Sequence, residues 1–106
     1  MPWLWIWIAA AFEIVWALAL KASDGLTRLV PSVVTLVAYA ASLLFLSRGM
    51  KHLPVGTSYA VWTGVGAAGT AILGIALFGE SREPLRLLCL VAIAAGVAGL
   101  MLTERG

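Results

Sequence analysis

The chain has 106 residues, of which 62% are hydrophobic and 11% charged, and its formal net charge is +2 at pH 7. Soluble domains are typically about 45–50% apolar and about 25% charged, so this composition excludes an ordinary water-soluble globule and indicates an integral membrane protein. The small positive balance is too slight to imply a nucleic-acid partner, and the single Cys89 cannot form an intrachain disulfide.

Four apolar segments are predicted as transmembrane helices: Trp3–Leu20, Pro31–Ser47, Val55–Phe78 and Leu85–Leu102. Each approaches the roughly 20 residues needed to cross hydrocarbon, and backbone groups in lipid must be satisfied internally, which demands helices. The expected architecture is an all-α membrane protein with one transmembrane domain over residues 1–106. The first run has no basic n-region, is long, and carries Glu13 near its centre, so it reads as a span and not as a cleaved signal. Trp3, Trp5 and Trp7 suit an aromatic belt at one membrane face.

Glu13 is the most informative residue of the first span. An ionised carboxylate at membrane depth costs roughly 2.5–3.5 kcal/mol on insertion scales, so a proton, a cation or a hydrogen-bond cage must offset it. Ala9, Ala10, Trp16, Ala17 and Leu20 share its helical face, the alanines leaving room and Trp16 offering an indole N–H. A structural carboxyl gluing helices together is the bland alternative. Lys21 lies about 12 Å along the axis, too far to neutralise Glu13 within one helix.

The first connection, Lys21–Val30, holds a turn at Ser23, Asp24, Gly25 and Thr27. The second span places Tyr39 and Ser42 on one side. Ser42 either donates to a carboxylate or bonds back to its own helix, and the residues alone favour the latter. After Arg48–Pro54, the third span carries Tyr59, Trp62 and Gly66 in one stripe. Aromatic faces attract desolvated cations, yet packing against lipid or a neighbour explains that stripe as well. Ala60, Gly64 and Ala68 form a small-residue row, as do Ala92 with Gly96 and Ala95 with Gly99 in the fourth span; such rows let helices approach closely. Gly64-Val65-Gly66 also weakens its helix locally, a site for a bend. Pro31, Pro54 and Pro84 suit first-turn positions. Cys89 reads as a small packing residue. His52, Glu80, Glu83 and Glu104 lie outside the spans and read as solvated. No metal-ligand cluster, phosphate loop or paired nucleophile and base is present, so no cofactor and no enzymatic activity are expected.

Loop charge carries almost no bias between the two sides, which leaves open a single orientation set by a few well-placed charges or insertion both ways. Arg48, Lys51 and Arg105 fall on one side, against Lys21, Arg28, Arg82 and Arg86 on the other. Such a near-balance suits insertion in both orientations. Two antiparallel copies would then supply the inverted repeat that larger transporters carry in one chain.

These residues resemble a known family. The run Ala11-Phe12-Glu13-Ile14-Val15-Trp16-Ala17, the stretch Gly25-Leu26-Thr27-Arg28 before Pro31-Ser32, and the segment from Leu53-Pro54-Val55-Gly56 through Tyr59-Ala60-Val61-Trp62-Thr63-Gly64-Val65-Gly66 are similar to the small multidrug resistance family. Trp16, where the promiscuous branch typically has glycine, resembles the guanidinium-exporter subtype. The resemblance implies a proton-coupled exporter of guanidinium-type cations in the bacterial inner membrane, working as an antiparallel, dual-topology homodimer. It further implies that Glu13 binds substrate or proton, that Trp16, Ser42, Tyr59 and Trp62 line the site, and that Gly64 and Gly66 flex. Cys89 stands where some relatives have a glycine in the fourth helix. A promiscuous quaternary-ammonium exporter and a non-transporting membrane interaction protein are the alternatives.

Overall fold

The computed structural model describes residues 2–103; Glu104 and Arg105 lie outside them. It contains four helices, α1 (Pro2–Ala22), α2 (Leu29–Gly49), α3 (Val55–Phe78) and α4 (Pro84–Thr103). All four are long and apolar enough to cross a membrane.

The punctuation between the helices follows from local chemistry. Ser23 ends α1 by donating its hydroxyl to the Leu20 carbonyl (2.6 Å) and accepting the Leu26 N–H (2.9 Å). Asp24, Gly25 and Leu26 then all take positive φ, which folds the chain back within a few residues. Arg28 is extended, and α2 begins at Leu29, two residues before Pro31, so Pro31 falls within the first turn. Pro54 caps α3 from outside, and Pro84 is the first residue of α4. The far end of α3 stops at Gly79, whose left-handed conformation (φ 65°) returns its N–H to the Gly74 carbonyl.

The helices pack in the order α2, α1, α3, α4, with α2 and α3 in slight contact and α4, among the described residues, beside α3. The principal extents are 41 × 34 × 16 Å, so the protomer is a slab little more than one helix thick. Its core is thin as well. Ile6, Ala9 and Ala10 of α1 meet Leu46, Leu53, Val61 and Trp62, and α4 contributes Val97. Val97 fits against Gly64, where a Cβ would overlap it, and Ile14 fits against Gly69 in the same way. Gly64, the glycine of the small-residue row of α3, thus receives a neighbour, whereas a Cβ on Gly96 or Gly99 of α4 would meet nothing within 4 Å. Cys89, read as a packing residue, lies exposed on α4.

The tryptophans near the start of α1 divide their roles. Trp3 packs against the core. Trp5 stacks on Phe45, which stacks on Phe12, and the Arg48 guanidinium sits 5.8 Å from the Trp5 ring centroid. Trp7 is exposed. Arg48 therefore closes the end of an aromatic column that ties α1 to α2.

Candidate functional site

Glu13 lies near the middle of α1 and faces α3 at Gly66. A Cβ on Gly66 would overlap the Glu13 side chain from Cγ to Oε1. The sequence places the room for this carboxylate on its own helix, but the structure places it on α3. Ala9 and Ala10 are fully buried between helices, and only Ala17 of the three alanines lines the open space beside Glu13.

That space is a cleft of about 380 Å³ running along α1 and α3. Glu13, Trp16, Ala17 and Lys21 line it from α1, and Thr63, Gly66, Ala67, Thr70 and Gly74 from α3; Phe78, Glu80 and Arg86 stand at one end. Glu13 Oε1 is buried without a hydrogen-bond partner among the described residues, and so is Trp16 Nε1. The indole N–H that Trp16 offers on the Glu13 face is therefore not taken up by the carboxylate. The indole instead meets Tyr39 edge-on, with ring centroids 5.2 Å apart and planes at 87°. Among the described residues no basic side chain pairs with Glu13.

Ser42 follows neither of the courses open to it in the sequence. Its hydroxyl donates to the Ala9 carbonyl of α1 (2.7 Å) and accepts the Trp62 indole N–H of α3 (2.9 Å). In regular helix geometry the Ala9 carbonyl also accepts the backbone N–H of Glu13. One buried relay thus runs from Trp62 through Ser42 to the helical turn that carries Glu13, and it locks α1, α2 and α3 in register. Removing the Ser42 hydroxyl leaves Trp62 Nε1 buried without an acceptor, a cost of about 1–3 kcal/mol in water and less in lipid. Ser42→Ala is accordingly expected to lower the denaturation midpoint in detergent, and Trp62→Phe in the same chain to recover part of the loss. Equal additive losses would show that the two side chains are energetically independent.

The remaining predicted residues fall close by. Tyr59 packs on Trp62, with ring centroids 5.5 Å apart and planes at 54°, but is 56% exposed, so it borders the Trp62–Ser42 relay from outside. Glu13, Trp16 and Gly66 share the cleft; Ser42 and Trp62 do not line it. Gly64 lies on the α4 side, and α3 runs through both glycines as continuous helix. Thr63 and Thr70 also line the cleft, and neither stands out as a site residue in the sequence. Their signal is the recurrence of Thr63, Gly66, Thr70 and Gly74 at i, i+3, i+7 and i+11, a stripe of small and hydroxylated residues on one helical face.

Four membrane-crossing helices with one acid held at mid-depth beside a cleft define a minimal polytopic membrane protein with an intramembrane ionisable site. The chain belongs to the small multidrug resistance family, whose protein model matches residues 1–93. It is 56% identical over 104 residues to the guanidinium exporter of Yersinia pseudotuberculosis, covering 98% of this chain and 100% of the relative. It is 53% identical over 103 residues to proteins of the same name from Citrobacter freundii and Salmonella typhimurium, covering 97% of this chain and 98% of each relative. With four spans and this family, the chain is a multi-pass protein of the bacterial inner membrane.

Proposed function

We infer that this protein exports guanidinium and small guanidinyl cations in exchange for protons, with Glu13 holding either a proton or a cation. The observation that carries this reading is the Glu13 carboxylate: buried at Oε1, without a partner among the described residues, and set at mid-span beside an open cleft. The relatives named guanidinium exporters support the substrate class. A guanidinium ion is planar and meets a carboxylate through two parallel N–H bonds, a geometry that quaternary ammonium ions, lacking donors, cannot adopt. Trp16 narrows the cleft beside the acid and favours a flat ion over a bulky one.

The working unit in this reading is an antiparallel, dual-topology homodimer. A slab 16 Å thick does not enclose a path across a membrane, and a second copy supplies the missing layer. Inverting one copy relative to the other makes the inward-open and outward-open states equivalent, as inverted repeats do within larger transporters. Two Glu13 carboxylates then face one substrate position, with Trp16, Ser42, Tyr59 and Trp62 around it. Ser42 and Trp62 act through the relay that fixes the Glu13 turn, and Tyr59, exposed on the protomer and packed on Trp62, is left accessible to a second copy. Gly64 and Gly66 are the positions at which α3 bends between the two states.

Coupling follows from charge. Two ionised carboxylates without a counterion are too costly to occlude in hydrocarbon, while protons or a cation remove that cost. Only loaded states reorient, and because proton and cation use the same oxygens, loading is mutually exclusive. The test is substrate-dependent proton movement in liposomes. Guanidinium is expected to drive protons across the membrane, and tetrapropylammonium to drive few. Equal fluxes for the two ions would replace the flat-slot account with a promiscuous one, and no proton movement with either would end the exchange account.

A further inference from the structure

Glu80 stands in the α3–α4 connection at the end of the cleft that begins at Glu13. Its carboxylate rests against Gly74, where a Cβ would lie 2.5 Å from Oε1 and 2.8 Å from the carboxyl carbon. Gly74 follows Gly66 by eight residues, which sets Glu80 about 12 Å along the axis from Glu13. The two acids therefore mark the floor and the mouth of one cleft.

What holds Glu80 is itself a guanidinium. Arg86 Nη2 donates to Glu80 Oε1 at 2.8 Å, and Arg86 Nη1 donates to the Ser81 carbonyl at 2.7 Å. Arg86 thus meets the acid through a single N–H, and Glu80 Oε2 has no partner among the described residues. Both side chains are partly exposed, at 31% for Arg86 and 41% for Glu80, so the pair is weak and opens readily. Lys21 also lines the mouth without an ion pair among the described residues, and its ammonium lacks the planar fork that a carboxylate takes in two points.

We propose that Glu80 is a second cation station, selective for guanidinyl groups, at which an arriving or departing guanidinium displaces Arg86 before reaching or after leaving Glu13. Arg86 is a tethered stand-in for the cargo. It keeps the mouth acid neutralised when no cation is present and yields to an ion that uses both carboxylate oxygens. This inference rests on the guanidinium-transport reading above.

Its test is the apparent KM for radiolabelled guanidinium uptake by proteoliposomes, compared across Glu80→Gln, Arg86→Ala, Arg86→Lys and the double variant Glu80→Gln/Arg86→Ala. Glu80→Gln is expected to raise KM by about three- to fivefold, and Arg86→Ala to lower it by a similar factor, the scale of one exposed ion pair. Arg86→Lys keeps the charge but loses the second N–H, which anchors the guanidinium to the Ser81 carbonyl, and is expected to lower KM toward the Arg86→Ala value. The double variant is expected to keep the KM of Glu80→Gln alone, because a competitor without its site does nothing. Gly74→Ala, which retains every charge but displaces the Glu80 carboxylate, is expected to resemble Glu80→Gln. A purely structural ion pair would move both single variants in the same direction. A through-space field would return the double variant to the wild-type KM and leave Arg86→Lys unchanged. Either result overturns the proposal while wild-type uptake and its dependence on Glu13 stand; absence of wild-type uptake would instead overturn the transport reading beneath it.

Discussion

Glu13→Gln is expected to reduce proton-driven guanidinium uptake by proteoliposomes to the level of protein-free vesicles. Glutamine keeps the size and branching of the side chain but cannot ionise, so it offers neither a seat for a proton in exchange nor a counter-charge for a cation. The substitution is clean because Glu13 Oε1 takes no hydrogen bond among the described residues and no basic side chain pairs with the carboxylate. Nothing in the protomer depends on the lost charge, and the fold should be retained or slightly stabilised, since a polar amide is cheaper than a carboxylate at membrane depth. Size-exclusion behaviour and helix content matching the wild type would establish that the loss is functional. Glu13→Asp keeps the charge on a side chain shorter by one methylene and should transport at a reduced rate. Undiminished coupled uptake by Glu13→Gln would remove this residue from the mechanism, and with it the one acid that lies within a span among the described residues.

The same thinness that exposes the site also constrains the assembly. In a single layer of helices, a mid-depth carboxylate has neighbours on its flanks and little across from it. α4 buries only Val97 and leaves Gly96 and Gly99 facing open space, so the protomer presents unused close-packing positions at one edge. Small residues that let backbones approach are worth most in lipid, where no hydrophobic force brings helices together. A second copy would use these positions and supply the opposite wall of the cleft at once, which is why the proposed site and the proposed dimer stand or fall together.

How much of this is legible in the sequence depends on the range of the interaction. The four helices are written in long apolar runs broken by polar, Pro- and Gly-bearing segments, because the bilayer leaves the backbone no other choice. Glu13 is legible for the same reason: a lone acid in an apolar run is an energetic anomaly. Contacts between helices are not. The Ser42 hydroxyl reaches a backbone carbonyl at Ala9, and no side-chain pattern marks one carbonyl among many. Ala9 and Ala10 have the size of cavity residues, yet the path of α2 beside α1 buries them. Glu80 reads as one more loop acid until the left-handed turn at Gly79 brings it back over Gly74.

Gly66→Ala is the second substitution expected to have a large effect, and it separates two roles for this glycine. The added methyl would occupy space now held by the Glu13 carboxylate, whose flexible end can swing aside at little cost to the fold. Alanine also favours a helix interior over glycine by about 1 kcal/mol, so the variant should fold at least as well as the wild type. The carboxylate, however, is driven out of its slot, and guanidinium uptake is expected to fall about tenfold or more, the loss that about 1.4 kcal/mol of weakened binding produces. A glycine that serves as a bend in α3 would also suffer from alanine, but the two accounts diverge in the double variant. Combining Gly66→Ala with Glu13→Asp removes the overlaps at Cδ and Oε1 and leaves the one at Cγ, 2.9 Å from the new methyl, which a shift of a few tenths of an ångström relieves, so uptake should recover toward the level of Glu13→Asp alone. Loss of bending would not be repaired by shortening a side chain on α1. Recovery in the double variant therefore assigns Gly66 to the carboxylate slot, persistent loss assigns it to motion, and wild-type uptake by Gly66→Ala alone would show that neither role limits transport.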